Sequence, residues 1–123
     1  MAKIIVIDDD VQFLQYMLHV ISAEGHIVKT AKDGIEGLEL LGHNKFDLLI
    51  TDMIMPIIDG TQILMSDTLK ELDIKIICMS GGGRYIDPKD TLLFALDFGA
   101  DKTLNKPFTK IELLTTIGEV LGQ

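Results

Sequence analysis

The chain has 123 residues, 47% of them hydrophobic, and its 19 acidic and 11 basic residues give a formal net charge of −8. This length suits one domain with its own core, while no apolar run approaches the roughly 20 residues that cross a bilayer. No Lys or Arg cluster offsets the acidic excess, which argues against direct binding of nucleic acid, and the single cysteine excludes an internal disulfide. We therefore expect one cytoplasmic domain over residues 1–123 that binds neither nucleic acid nor a membrane.

Short apolar runs alternate with helix-like segments along the chain, which is typical of a parallel sheet covered by helices. The predicted strands are residues 4–7, 27–31, 47–51, 74–79 and 102–104. The first and third are apolar without alternation, which indicates strands buried on both faces. The pattern predicts an α/β fold with a doubly wound, five-stranded parallel sheet.

Capping residues mark the helix starts between these strands. The pairs with capping spacing are Asp33 and Glu36, Asp59 and Gln62, and Thr109 and Glu112. The first helix is predicted over residues 11–24, ending before Gly25, a natural left-handed terminator. Its predicted apolar face consists of Leu14, Met17, Leu18 and Ile21.

Side chains that suit phosphate or metal chemistry follow four of the five strands. They are Asp8, Asp9 and Asp10 after the first strand, Asp52 after the third, Ser80 after the fourth and Lys106 shortly after the fifth. Because the carboxyl ends of parallel strands meet at one edge, where ligands bind, we expect these groups to converge. Carboxylates from two strands would repel each other there unless a hard cation such as Mg²⁺ lay between them.

A phosphoryl group at this edge would need its oxygens neutralised. A metal ion, the Lys106 ammonium and the Ser80 hydroxyl around one acceptor carboxylate form a workable transfer site. Pro107 favours the hypothesis of a cis Lys106–Pro107 bond, which would direct the ammonium into the crevice. Asp10 is interpreted as a helix cap.

The order of these motifs resembles the receiver domain of two-component response regulators over residues 4–121. The matching motifs are Ile7-Asp8-Asp9-Asp10, Asp52-Met53-Ile54-Met55-Pro56 with Asp59-Gly60, Met79-Ser80-Gly81, Gly99-Ala100-Asp101 and Lys106-Pro107-Phe108. Each motif is weak alone, but together and in this order they are specific. The resemblance implies a flavodoxin-like strand order 2-1-3-4-5 with helices on both faces.

By position, the resemblance makes Asp52 the phosphoacceptor. It implies that Asp8, Asp9, Asp52 and the Ile54 carbonyl bind Mg²⁺, and that Ser80 and Lys106 hold the phosphoryl oxygens. The implied donor is a phosphohistidine on a sensor histidine kinase or a histidine phosphotransfer protein. Such a domain catalyses only its own phosphorylation and dephosphorylation, so we expect a signalling domain rather than an enzyme acting on other substrates.

The implied output is phosphorylation-dependent binding of a downstream protein. The family uses the face formed by its fourth helix, fifth strand and fifth helix, and we expect Phe94 to be exposed there. Receivers usually carry Tyr or Phe three residues before the site lysine, where this chain has Thr103. We therefore expect ordering of the loop at residues 80–83, rather than an aromatic switch or a substitute at Tyr85, to carry the signal in an apparently stand-alone receiver.

Two other functions remain possible from the sequence. A phosphatase of the haloacid-dehalogenase type would use Asp8 as nucleophile, but that family needs an acidic pair after the lysine, and only Glu112 and Glu119 follow here. A receiver-like module that binds partners without phosphorylation would explain Thr103. It would leave the acidic pair, Asp52 and Lys106 without a role.

Overall fold

A computed structural model describes residues 1–53, 60–81 and 99–122. Its strands are β1 (Lys3–Ile7), β2 (Ile27–Ala31), β3 (Leu48–Asp52), β4 (Lys75–Gly81) and β5 (Lys102–Lys106). They form one sheet in the order β2-β1-β3-β4-β5, and every neighbouring pair is parallel. The predicted five-stranded parallel sheet and its order 2-1-3-4-5 are confirmed.

Helices cover both faces of this sheet. The helices in the described ranges are α1 (Val11–Ser22), α2 (Gly34–His43), α3 (Gly60–Met65), α4 (Asp67–Lys70) and α5 (Lys110–Leu121). Apolar residues of α1 and α5 pack on one face of the central strands, and those of α2, α3 and α4 pack on the other. Residues 4–7 of β1 and 48–50 of β3 are all apolar because both faces of these strands are buried. The prediction of helices on both faces is confirmed.

Three strands extend further toward their carboxyl ends than predicted. Backbone pairing continues through Asp52 opposite Met79 and through Gly81 opposite Lys106. Asp52, Ser80 and Lys106 are therefore strand residues, not residues of the loops that follow. The sequence analysis ended these strands too early because it relied on apolar side chains. Strand pairing depends on backbone groups, which polar residues and glycine also supply.

The first helix differs from its prediction in one face residue and in its end. Leu18 is 39% exposed, whereas Val20 is buried. The buried face is centred on Met17 and Ile21, and at about 100° per residue Leu18 falls at its edge. The helix ends at Ser22, and Gly25 follows with a φ of +93°, a left-handed conformation that glycine adopts without a Cβ clash.

Three predicted caps are confirmed. Asp10 accepts from the amides of Gln12 and Phe13 at 3.1 and 3.2 Å. The Glu36 amide donates to Asp33 at 2.8 Å, and the Glu112 amide donates to Thr109 at 3.0 Å. The predicted cap at Asp59 lies outside the described residues.

The peptide bond between Lys106 and Pro107 is cis, as hypothesised. Within the described ranges, no helix has both the length and the apolar character that a membrane crossing requires.

Candidate functional site

The carboxyl ends of the strands bring three polar side chains into a buried environment. Asp8 follows β1 directly and is 1% exposed, Asp52 ends β3 and is 6% exposed, and Ser80 lies near the end of β4 and is 2% exposed. Buried carboxylates are unstable unless opposite charge or hydrogen-bond donors surround them. Their position therefore demands compensating groups at this edge.

Three carboxylates form a cluster at the edge. Asp8, Asp9 and Asp52 each present one oxygen, and these oxygens all lie within 4.8 Å of one another. The sheet holds Asp8 in place, because its amide donates to the Ala31 carbonyl at 3.1 Å and extends the pairing of β1 with β2. The Asp10 amide donates to Asp8 Oδ1 at 2.9 Å, which turns the chain into α1.

This donor set fits a small, hard divalent cation. Mg²⁺ prefers carboxylate oxygens and usually retains several waters, so a few carboxylates from one side suffice to hold it. Three negative charges at such short separation also repel each other, and a cation would relieve that repulsion. The residues present therefore suit Mg²⁺, as the receiver resemblance implied.

A cation from the protein itself reaches the same cluster. The Lys106 ammonium forms an ion pair with Asp8 Oδ2 and lies 3.4 Å from Asp52 Oδ2. Lys106 ends β5 opposite Gly81 of β4. A Cβ at position 81 would stand 3.3 Å from Lys106 Cδ, a tight contact, so glycine leaves room for the lysine stem.

The Ser80 hydroxyl is buried and has no hydrogen-bond partner among the described residues. An unsatisfied buried hydroxyl costs about 1–3 kcal/mol. A polar group retained under such a penalty is a candidate for contact with a ligand. Ser80 thus supplies a donor at the edge that also holds the acidic cluster and Lys106.

The structure brings together four of the residues predicted for the site, Asp8, Asp9, Asp52 and Lys106, and places Ser80 at the same edge. Asp10 caps α1, as interpreted. The Ile54 carbonyl, predicted as a metal ligand, lies outside the described residues, as do Phe94 and Tyr85.

Thr103 is half-buried in β5, opposite Cys78 in the register. One residue next to the site escaped the sequence analysis: the ring of Phe13 lies 4.4 Å from Lys106 Nζ. Only its place in the first turn after the aspartates could have indicated it, because phenylalanine carries no group that marks a polar site.

A model of the response regulator receiver domain matches residues 4–118 of this chain. The chain belongs to the response regulator receiver family. Receiver domains bind Mg²⁺ at an acidic pocket and interact with histidine kinases and downstream effectors. The cluster of Asp8, Asp9 and Asp52 forms the acidic pocket of this receiver domain.

Relatives and solved structures resemble the receiver domain over nearly its whole length. A CpxR homolog from Haemophilus influenzae, a transcriptional regulatory protein, is 30% identical over 98% of this chain and 51% of its own. A receiver domain protein from Clostridium thermocellum is 32% identical with a TM-score of 0.87, covering 99% of this chain and 95% of the other. Chemotaxis protein CheY4 of Vibrio cholerae is 30% identical with a TM-score of 0.83, covering 98% and 99%. The chain spans about half the length of the curated relatives it matches.

The family assignment decides between the receiver and the haloacid-dehalogenase type of phosphatase. The acidic residues that the phosphatase would need after Lys106 lie on α5 and are not members of the cluster of Asp8, Asp9 and Asp52. Glu112 is exposed, and Glu119 pairs with Lys102 at 3.2 Å. The chain is a phosphoacceptor of the receiver type.

Proposed function

We propose that Asp52 accepts a phosphoryl group from a phosphohistidine in a reaction that requires Mg²⁺. The observation that carries this proposal is the convergence at a single sheet edge of three carboxylates, one ammonium and one buried hydroxyl that has no partner within the described part of the chain. Asp52 is the proposed acceptor because it ends β3, which lies between β1, the strand that precedes Asp8 and Asp9, and β4, the strand that carries Ser80. Its carboxylate belongs to the acidic cluster and lies 3.4 Å from the Lys106 ammonium.

In this reaction one carboxylate oxygen of Asp52 forms a bond to phosphorus while the bond from phosphorus to the donor nitrogen breaks. The donor ring, protonated on its other nitrogen, leaves as neutral imidazole with that electron pair, and Asp52 enters as the carboxylate. Lys106 and the Ser80 hydroxyl donate to the phosphoryl oxygens, whose charge must be stabilised throughout the transfer. Water then hydrolyses the acyl phosphate within the same site, so that the domain catalyses only its own turnover.

Asp8, Asp9 and Asp52, with the Ile54 carbonyl, are the proposed ligands of Mg²⁺. The metal, when bound, neutralises phosphoryl oxygens and screens the carboxylates from the incoming anion. Without that neutralisation, an anionic donor would meet three negative charges within 4.8 Å of one another.

The proposed partners are a sensor histidine kinase or a histidine phosphotransfer protein as donor, and a downstream protein as target. The proposed contact for the downstream protein is the face that the family builds from its own fourth helix, fifth strand and fifth helix, a numbering in which Phe94 falls on the fourth helix and which differs from the labels used above. With Thr103 in place of the usual aromatic residue, ordering of the loop that begins after Ser80 is the proposed signal. We propose a cytoplasmic location, because the kinase domains that donate phosphoryl groups to receivers act there.

Intact-mass spectrometry after incubation with phosphoramidate tests the acceptor. The wild type should gain one phosphoryl group with Mg²⁺ and none with a chelator, and Asp52→Asn should gain none. Asp10→Asn is the matched control. Asp10 directly follows Asp8 and Asp9, but it caps α1 and is not a member of the acidic cluster. The Asp10→Asn variant should be phosphorylated normally.

Two results would contradict the proposal. Phosphorylation that survives Asp52→Asn would move the nucleophile elsewhere, first to Asp8. A wild type that gains nothing from phosphoramidate or from a phosphorylated histidine phosphotransfer protein would favour the phosphorylation-independent interaction module.

A further inference from the structure

An aromatic ring lies against the ammonium of the site lysine. The ring centroid of Phe13 is 4.4 Å from Lys106 Nζ, within the range of a cation–π contact. Phe13 comes from the first turn of α1, and its amide donates to the Asp10 cap, which ties the ring's position to the aspartate segment. The ammonium of Lys106 thus has two carboxylates, Asp8 and Asp52, and one aromatic ring as neighbours.

A second ring supports the first. Phe108 packs edge-on against Phe13 with a centroid distance of 5.9 Å and an interplanar angle of 77°. Both rings are half-buried. With Gly81, Lys106 and Pro107 they line an open depression of about 470 Å³. A flexible lysine stem beside such an opening has other positions to occupy, and the Phe13 ring is a wall of that opening in contact with the ammonium.

We propose that Phe13 is a positioning residue that holds the Lys106 ammonium beside Asp52 for phosphoryl transfer. This inference rests on the proposed function of Asp52 and Lys106. The ring attracts the ammonium through its negative face without competing for it as a carboxylate would. A donor preorganised in this way stabilises the transferring phosphoryl group without first losing side-chain freedom.

The proposal predicts a separation between rate and binding. Phe13→Leu keeps apolar bulk but removes the ring, so the maximum phosphorylation rate at saturating phosphoramidate should fall about three- to tenfold. The Mg²⁺ concentration for half-maximal rate should change by less than about twofold, because the ring contacts of Phe13 within the described residues are with Lys106, Tyr16 and Phe108, and none of these is a proposed metal ligand. Phe13→Tyr keeps the ring and should restore the rate to within about twofold of the wild type.

A second readout needs neither metal nor phosphoryl donor. Protons next to Lys106 Nζ lie over the Phe13 ring, so their NMR signals in metal-free protein should be shifted upfield. That shift should persist in Phe13→Tyr and vanish in Phe13→Leu, with Lys106→Arg identifying the signals. The control for lost stability is Phe46→Leu, which removes a buried ring and its contact with Lys3 Nζ, 5.1 Å from the centroid and remote from the site.

The outcomes separate this inference from the proposed function. Phosphorylation of the wild type at Asp52, with Phe13→Leu slowed and Phe13→Tyr and Phe46→Leu near normal, supports the positioning role. Equal rates in the wild type and Phe13→Leu, or no upfield shift in the wild type, overturn it and leave the proposed function intact. A wild type that is never phosphorylated removes the proposed function, and the positioning role with it.

Discussion

The ammonium of Lys106 forms an ion pair with the carboxylate of Asp8, a residue 98 positions earlier in the chain. The pair joins the end of β5 to the end of β1, two strands separated by β3 and β4 in the sheet. Because Asp8 is 1% exposed, its charge depends on Lys106 or on a bound cation for compensation. The protein's cation and the proposed Mg²⁺ therefore share one set of carboxylates.

Replacing Lys106 by Met should make folding depend on Mg²⁺. The substitution keeps the apolar stem but removes the positive charge that pairs with Asp8 and lies 3.4 Å from Asp52. Without metal, the free energy of unfolding should fall by about 2–3 kcal/mol, somewhat below the cost for a fully buried pair because Lys106 is 22% exposed. Urea unfolding with a chelator measures the free energy of unfolding without metal, and unfolding at increasing Mg²⁺ concentrations measures the stabilisation by the metal. Mg²⁺ should stabilise the variant more than the wild type.

Lys102→Met is the control for that experiment. Lys102 lies on the same strand, but its partner is Glu119 at 3.2 Å, and both side chains are half exposed. Its loss should change stability by less than about 1 kcal/mol and leave the Mg²⁺ response unchanged. Equal Mg²⁺ responses in Lys106→Met and the wild type would contradict a shared set of carboxylates.

Ser80→Ala should separate stability from phosphoryl transfer. Since the Ser80 hydroxyl is buried without a partner among the described residues, removing it should leave the free energy of unfolding unchanged or raise it by about 1 kcal/mol. The rate of phosphorylation should nevertheless fall about tenfold or more, because a donor to the phosphoryl oxygens is lost. Urea unfolding and time-resolved intact-mass measurements give the two quantities.

Ser66→Ala provides the contrasting case. The Ser66 hydroxyl accepts from the Leu69 amide and donates to the Ile63 carbonyl at the start of α4. Its removal should cost about 1 kcal/mol of stability and leave the phosphorylation rate unchanged. A clear loss of stability in Ser80→Ala would show that its hydroxyl has a partner in the folded protein.

Two glycines of α2 should respond to alanine in opposite directions. A Cβ at Gly37 would lie 2.3 Å from Ile7 Cδ1, where the helix packs on β1, whereas a Cβ at Gly42 meets nothing within 4 Å. Gly37→Ala should therefore destabilise the fold by about 1–3 kcal/mol, and Gly42→Ala should stabilise it by up to about 1 kcal/mol. Thermal unfolding of the two variants tests the packing directly, and equal shifts would show that α2 moves freely against β1.

Cys78 should contribute stability that disappears at high pH. Burial raises the pKa of its thiol from 9.0 to about 12. Below pH 9.0 the thiol is protonated in both states, so its contribution is fully present. Between 9.0 and 12 the unfolded chain loses the proton while the folded protein keeps it, so stability falls as the pH rises.

Midway through that window the loss should be roughly 2 kcal/mol relative to Cys78→Ala, which lacks the titrating group. Urea unfolding of both proteins below and within this pH window isolates the contribution of the Cys78 thiol, because the other titrating groups are the same in the two proteins. In the folded wild type below pH 9.0 the thiol should also resist alkylation. A difference between the two proteins that stays constant with pH would rule out the buried thiol as its source.

Local patterns in the sequence predicted the strands, three of the caps and the α/β class. Buried strands such as β1 and β3 are visible because both faces require apolar residues, and capping depends on residues only two or three apart. The edge assignment of Asp8, Asp52, Ser80 and Lys106 followed from the same logic, since parallel strands bring their carboxyl ends together wherever the chain folds as β-α-β units.

The tertiary structure decided what depends on contacts between distant residues. Strand pairing placed Asp52 and Lys106 within their strands, and the angle at which α1 packs exposed Leu18 and buried Val20. The ion pair of Lys106 with Asp8 and the Phe13 ring over the same ammonium join elements far apart in the chain. Packing also buries the Ser80 hydroxyl without a partner in the ranges that the structure describes. Sequence determines which groups reach an edge, but three-dimensional packing determines their distances, and electrostatic interactions and hydrogen bonds depend on those distances.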